Sequence, residues 1–446
     1  MRVAALWRRT EEPDDAAAPL HRIPRIRTAD STSSADRQES LWASPGAMDT
    51  TDEVYPTADE RSPDTSKWEA GGFAPWVEPA YRSFRAALPL LGIYVLIRAG
   101  LLVADALSAH LNWGTHPDGP LTSWDGHWYL TVASNWYPAN PPRVAGHLTY
   151  GAAAFEPVFP ALIRFGEFLH LTAVQSALTV SFIGGAVSVV LVWWLATNLY
   201  GPQVGRIATI LFTVFPGMAI CWGVLYSESV GLALVAGCLL LMLKRHYVWA
   251  GVVGALATAT NASALPLAIA AMVPSIQAIR RRQMPRALVT VLLVPLGFIG
   301  YAAWLGFHYH DTLYWWHLQS QAWGGAVDFG KSLLVLFVHP WSGGYQGKGW
   351  MEWVGLVAVA GAIFAMVRAR LPLMLSAYCG GLFILLFVSN SLGFKPRFLA
   401  WGFPSLIAVA AITRRKGWQA IALAFTFLLP LVFLAYASFG NYMIQP

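Results

Sequence analysis

The sequence predicts an all-α polytopic membrane protein, and three observations carry that prediction. The 446 residues are 56% hydrophobic and 12% charged, whereas a water-soluble chain carries roughly 25% charged residues. After the first 80 or so residues the apolar side chains gather into long runs with few charges, the pattern a bilayer demands of a helix. The basic residues fall in short clusters beside those runs, as membrane orientation distributes them. The net charge of +6 therefore reflects orientation, and no nucleic-acid partner is expected. Cys221, Cys238 and Cys379 lie in apolar segments at unrelated spacings, which gives neither a disulfide framework nor a metal-binding pair.

In chain order, residues 1–80 are rich in Pro, Ser, Thr, Asp and Arg with little periodicity, and read as a disordered tail. The opening MRVAALWRRT is too weakly apolar for a signal peptide, and Met48 is an alternative start. The membrane domain follows over 81–446. Its first span runs from about Ala86 to Ala109, with further spans at 173–199, 206–224, 228–243, 247–263, 264–279, 287–306, 352–368, 371–389, 398–413 and 418–439. That makes about eleven, several near the short limit of ~17 residues. Short interfacial helices are expected in the loops. In 154–170, Phe155, Phe159, Leu162, Ile163 and Leu169 recur at helical spacing, with Pro157 and Pro160 fitting an entry turn. KSLLVLFVH (331–339) is too short to span.

Charge placement assigns the sides. Arg82/Arg85, Arg206, Lys244/Arg245, Arg280–Arg282 with Arg286, Arg368/Arg370 and Arg414–Lys416 share one side if the segments alternate. By the positive-inside rule that side is cytoplasmic, together with the N-terminus. Arg245 and Arg280 share it only if 247–279 crosses twice, with the turn at Asn261, Ala262 and Ser263. The loops at 110–172 and 307–350, Tyr226–Glu228 and Phe394–Arg397 then all face outward.

Chemistry concentrates on that outer face. In SWDGHWYLTVASNWYP (123–138), Asp125 stands among Trp124, Trp128, Tyr129, Trp136 and Tyr137. A carboxylate there suits a general base that takes the proton of an acceptor hydroxyl; it also suits the N-cap of a helix starting near Gly126. Trp124 and Trp128, with His127 between them, are candidates to hold a sugar, and an interfacial aromatic belt is the competing reading. Glu156 is placed to assist Asp125, to bind a hydroxyl, or to pair with Arg164. Tyr226, Ser227 and Glu228 form a polar knot at the outer boundary, where an acid needs a partner or a cavity. Lys395 and Arg397 break the charge rule, and a lipid phosphate would answer them. Arg98, near the middle of the first span, is expected to pair with Asp105 or another helix's acid. His116, His127, His147, His308, His310 and His317 match no metal spacing, and Asp125 has no acidic neighbour; no metal or other cofactor is expected.

Four stretches carry a resemblance: SWDGHWYLTVASNWYP (123–138), AFEPVFPALIRFG (154–166), LYSESVGLAL (225–234) and ATATNASALPLA (257–268). Their order resembles the PIG-V family, the GPI mannosyltransferase 2 type, in the GT-C class of membrane glycosyltransferases. Beyond about residue 290, hydropathy and KPRF (395–398) alone extend it. The likeness implies a GT-C-like bundle and inverting transfer of mannose from a polyprenyl- or dolichyl-phosphate donor, with the site on the non-cytoplasmic face. By it Asp125 takes the catalytic position, and Glu228 and Asn261 fall on recurrent positions near the site. The chain departs from the family where Ala259–Asn261 lacks a basic residue, and where Glu156 replaces an apolar residue before the proline. The Ala-, Gly- and Arg-rich composition looks bacterial and points to a plasma membrane, with a glycolipid, lipoglycan or protein acceptor. The alternative is a transporter or flippase of a lipid-linked sugar, which would carry polar groups near the midplane and detectable repeats.

Overall fold

The computed structural model describes residues 74–110, 120–340, 349–390 and 395–440, and their regular structure is almost wholly helical. The expected tail falls outside them up to residue 73, as do Met48, His116 and Phe394. Helix α1 (Ala74–His110) starts twelve residues ahead of the expected span, so 74–80 belong to the helix and not to the tail. The small exception to helix is a two-strand ribbon, Arg143–Val144 paired antiparallel with His147–Leu148.

Five helical stretches are long and apolar enough to cross a bilayer: Ala87–Leu107, Ala173–Tyr200, Ala262–Arg280, Leu288–His308 and Pro404–Tyr436. They follow the apolar runs read from the sequence. The expected span 206–224 is two helices, α5 (Pro202–Thr213) and α6 (Met218–Gly223). The break falls at Phe215–Pro216, because the residue before a proline is driven out of the helical region. Three further apolar helices are shorter: α7 (Glu228–Leu243), α8 (Tyr247–Thr258) and α15 (Leu373–Val388). Between them stand α9 (Pro266–Arg280), α10 (Leu288–Leu293), α11 (Leu296–His308) and α14 (Gly349–Arg368). The loops carry α2 (Asp125–Asn135), α3 (Val158–Phe168), α12 (Tyr314–Ala322) and α13 (Lys331–Val338), the last two short helices preceding α14. Helix α3 buries Phe159 and Ile163 and exposes Phe165 and Phe168, so it offers apolar surface on both sides, as an interfacial helix does.

The stretch Pro404–Tyr436 folds back on itself. Straight, its 33 residues would extend about 50 Å. Instead Gln203, at the start of α5, donates to the Arg414 carbonyl at 3.0 Å, and the Tyr436 hydroxyl donates to the Gly223 carbonyl, at the end of α6, at 3.1 Å. The reversal is the 3₁₀ turn Arg414–Lys416, with α17 (Pro404–Thr413) as one leg and α18 (Gly417–Leu423) and α19 (Leu429–Gly440) as the other. That reproduces the two spans expected at 398–413 and 418–439.

Side-chain contacts define two ends. At one, Lys244 lies over the Trp194 ring at 5.2 Å, and the Tyr200 hydroxyl donates to the Ala369 carbonyl at 3.2 Å. Helices α8 and α10–α11 run in the same direction, since Thr290 bonds the Tyr247 carbonyl and Thr258 the Val294 carbonyl, each at 2.6 Å. Arg245 and Arg286, which precede these helices, therefore share that basic end. The turn at Asn261 lies at the other, as the alternation of spans requires. Glycines set the close approaches. A Cβ on Gly297 of α11 would strike the Ala255 carbonyl of α8, and one on Gly184, in α4 (Ala173–Tyr200), would lie 3.0 Å from the backbone nitrogen of Val230 in α7. Small residues at such contacts let apolar helices pack where lipid gives no hydrophobic drive to associate.

Candidate active site

The end opposite the basic clusters gathers the acids. A turn leads from Pro120 into α2, and it is held from both sides: the Leu121 amide donates to Asp105 Oδ1 at 2.9 Å, and the Leu225 amide donates to the Leu121 carbonyl at 3.0 Å. Trp124 enters the helix with φ of +54°, a conformation that costs a non-glycine residue about 1–2 kcal/mol. Asp125 is then the first residue of α2, as Glu228 is of α7, and both carboxylates sit at the positive end of a helix dipole.

One guanidinium joins them. Arg397 comes from α16 (Pro396–Leu399), with proline at the first helical position. Its Nη1 donates to Asp125 Oδ2 at 2.8 Å. Its Nε lies 2.7 Å from Glu228 Oε1, a charge contact too bent for a hydrogen bond. Both Glu228 oxygens are consequently buried with no hydrogen-bond donor aligned on them among the described residues. The guanidinium also lies 4.8 Å from the Tyr226 ring centre and 4.9 Å from that of Phe398, and the Tyr226 hydroxyl accepts the Asp125 amide at 3.2 Å. Burial works against the charge of Arg397, but Glu228 and Asp125 together hold its proton more firmly than in a free arginine. Asp125 is thus tied to an arginine; it does not cap its helix.

A polar row continues from this cluster. The Tyr129 hydroxyl and Ser227 Oγ are 2.7 Å apart, and Asn261 Nδ2 donates to the same Ser227 oxygen at 3.3 Å. Asn261 Oδ1 accepts the Ser263 amide at 2.9 Å, and the Ala262 amide donates to Glu156 Oε1 at 3.3 Å. Burial raises the Glu156 carboxyl to about 8, with Glu228 and Asp125 adding to the effect and the Ala262 amide opposing it. Burial likewise drives the Tyr129 phenol well above its usual range, helped by Glu228, Glu156 and Asp125.

The structure therefore brings together Asp125, Glu156, Tyr226, Ser227, Glu228, Asn261 and Arg397. Lys395 is buried just ahead of α16. Trp124 is half-buried against the core, Trp128 stacks on Phe155 at 6.3 Å, and His127 is exposed with its ring edge-on to Trp128 at 5.6 Å. These three lie around the site and not in its row of contacts. Two expected pairings are absent. Arg164 donates to the Ala133 and Ser134 carbonyls at 2.9 and 3.4 Å, away from Glu156. Asp105 is taken by Leu121 and by the Tyr436 hydroxyl at 3.1 Å, while Nε and Nη1 of Arg98 are buried without a hydrogen-bond partner. Seven residues separate the two along α1, about 10 Å, so they share a face but do not meet.

Sequence reasoning named Tyr129, Phe398 and Asp105 but gave none of them a place in the site. Tyr129 was accessible to it, being four residues after Asp125 and so on the same face of α2. Among the described residues no group of three or more His, Cys, Asp or Glu side chains is placed to hold a metal ion. His317 Nδ1 pairs with Asp311 Oδ2 at 2.7 Å, and His308 stacks on Trp304 at 4.8 Å. Beside the row, Pro157 forms one wall of a cleft of about 530 Å³, with Trp136, Tyr137, Gly300, Tyr301 and Trp304 among the others.

No protein-family model matches this chain, and no curated protein matches it. Among solved structures it is similar to ArnT from Cupriavidus metallidurans bound to undecaprenyl phosphate. The identity is 13% and the TM-score 0.48, over 78% of this chain and 75% of that one. It is also similar to the archaeal oligosaccharyltransferase AglB from Archaeoglobus fulgidus in complex with an inhibitory peptide and a dolichol-phosphate. There the identity is 14% and the TM-score 0.45, over 80% of this chain and 56% of that one. At scores below 0.5 the chemistry is read from the residues of the site and not from these neighbours.

Proposed function

We propose that this chain is a GT-C-like membrane glycosyltransferase that transfers mannose, with inversion, from polyprenyl-phosphate mannose to a hydroxyl of a glycolipid, lipoglycan or protein acceptor. The observation that supports this best is the cluster of Asp125, Glu228 and Arg397, where a half-buried and a fully buried acid share one guanidinium at the boundary of an apolar helix bundle. The order of motifs from SWDGHWY to KPRF supports mannose and the PIG-V likeness.

In this reading Arg397 fixes Oδ2 of Asp125 and leaves the other carboxylate oxygen to take the acceptor proton as the hydroxyl attacks the anomeric carbon. Glu228 holds the guanidinium from its other side. The remaining N–H groups of Arg397, with Lys395, neutralise the departing lipid phosphate. Trp124, His127 and Trp128 border the sugar. The acid-rich end faces away from the cytoplasm, in a bacterial plasma membrane, and no metal takes part.

The test is transfer from radiolabelled polyprenyl-phosphate mannose in membranes carrying wild type or Asp125→Asn, which keeps size and shape but cannot act as the base. Loss of at least ~100-fold, with the protein still inserted and abundant, is the expected outcome. Equal activity in both would remove Asp125 from the chemistry. Lipid-linked sugar crossing the membrane without transfer would favour a flippase instead.

A further inference from the structure

We propose that Glu156 is held as a neutral carboxylic acid and donates a hydrogen bond to a hydroxyl of the acceptor, so that it binds substrate and is not a second base. The proposal rests on the glycosyltransferase reading for its substrate, and on geometry for its chemistry. Glu156 is 5% exposed, and Oε1 accepts the Ala262 amide at 3.3 Å. The titratable groups that act on it are Asp125 and Tyr129 from α2, Tyr137 just beyond that helix, Glu228 from α7 and Tyr301 from α11. All are acids or phenols.

Neither nearby arginine is free for it. Arg397 is shared by Asp125 and Glu228. Arg164, eight residues along the same segment, donates to the Ala133 and Ser134 carbonyls and lies over the Trp136 ring at 5.3 Å. Ionising Glu156 would put a third negative charge beside a single guanidinium, in a place with little water to screen it. Burial accordingly raises its carboxyl to about 8. A neutral carboxyl has one oxygen that only accepts and one that carries a proton. The Ala262 amide and the residue's own backbone amide donate to the carboxyl, which takes up its accepting side and leaves the O–H to donate.

The cleft beside it gives that donor a purpose. Pro157, the next residue, walls the cleft and has no N–H to offer. The Tyr301 hydroxyl is spent on the Ala153 and Phe155 carbonyls, both at 3.0 Å, and the Tyr137 hydroxyl on the Phe155 carbonyl at 2.7 Å. These two walls therefore present ring faces, which suit the C–H faces of a sugar. The hydroxyls of that sugar need a polar group where the cleft adjoins the row of acids, and Glu156, one residue before Pro157 and within electrostatic reach of the wall residues Tyr137 and Tyr301, is the acid beside it.

The experiment uses the full-length protein in lipid nanodiscs and reads the infrared C=O stretch of protonated carboxyl groups across a pH series. A band absent from Glu156→Gln, present at pH 7 and titrating near pH 8, is expected. Adding octyl α-mannoside should shift that band, as donation of its proton requires. In transfer assays Glu156→Gln, which keeps a neutral donor, should lose less activity at pH 7 than Glu156→Leu and lose the fall in rate above pH 8. Glu156→Leu should raise acceptor KM about tenfold at unchanged donor KM. An ionised Glu156 at pH 7, no band shift with octyl α-mannoside, or a Gln variant as damaged as the Leu variant would overturn the proposal. Wild type that transfers no mannose while the band titrates and shifts would defeat the glycosyltransferase reading and leave the protonation and the hydroxyl contact standing.

Discussion

At the scale of single residues the site turns on one cation serving two acids. Removing it strands Glu228, which is 1% exposed, and an orphaned buried charge costs about 3–5 kcal/mol. Arg397→Ala should therefore lower thermal stability in detergent by that order, and adding Glu228→Gln should return much of the loss. If the double variant were no more stable than the single one, the pair would not be what holds α16 in place. Glu156 leaves a different signature. Its carboxyl goes from an ordinary 4.5 to about 8 on folding, so the folded protein keeps a proton that the unfolded chain gives up. That contribution is complete below pH 4.5 and drains away as pH rises through 8. Melting temperature followed from pH 5 to 9 should fall for wild type, and should fall much less for Glu156→Gln.

At the scale of elements, glycines decide how near the helices come. A Cβ on Gly217, between α5 and α6, would collide with the carbonyl of Pro396, the residue before the site arginine. Backbone cannot swing aside as a flexible side chain does, so Gly217→Ala should displace α16 and reduce mannosyl transfer by tenfold or more, about 1.4 kcal/mol in the barrier. Gly300→Ala meets nothing within 4 Å and should leave folding and expression unchanged by thermal melts. Apolar runs and basic clusters made the helices and their direction legible in the sequence, because a bilayer imposes length and charge asymmetry on any chain. The same alternation placed Asp125, Glu156, Glu228, Asn261 and Arg397 at one end. It could not tell which of them touch. The charge of Arg397 pointed to a lipid phosphate and not to Asp125, since a partner 272 residues away leaves no local trace. Arg98 was expected to meet Asp105 or another helix's acid; that the two share a helix face says nothing about where Leu121 and Tyr436 arrive.

At the scale of the whole molecule the two ends differ chemically, with the arginine and lysine clusters at one and the acids, answered by Arg397, at the other. Single cysteines at Gln283, by the basic end, and at Asn140, beyond α2, should react with a membrane-impermeant maleimide from opposite sides of sealed vesicles. The native thiols do not interfere, since Cys221, Cys238 and Cys379 are buried. Labelling from a single side would break the alternation of spans. The span between Asp125 and Arg397 also imposes a schedule on biogenesis. A ribosome adding about 5–20 residues per second needs roughly 15 to 55 seconds to make the 272 residues that separate them. Asp125 waits through that whole interval, and Glu228 joins it 103 residues along, so two carboxyl groups destined for one arginine enter the membrane before it. A nascent chain stopped before residue 395 has no means of neutralising them and should be cleared by quality-control proteases, whereas one released beyond α16 carries its own counter-charge.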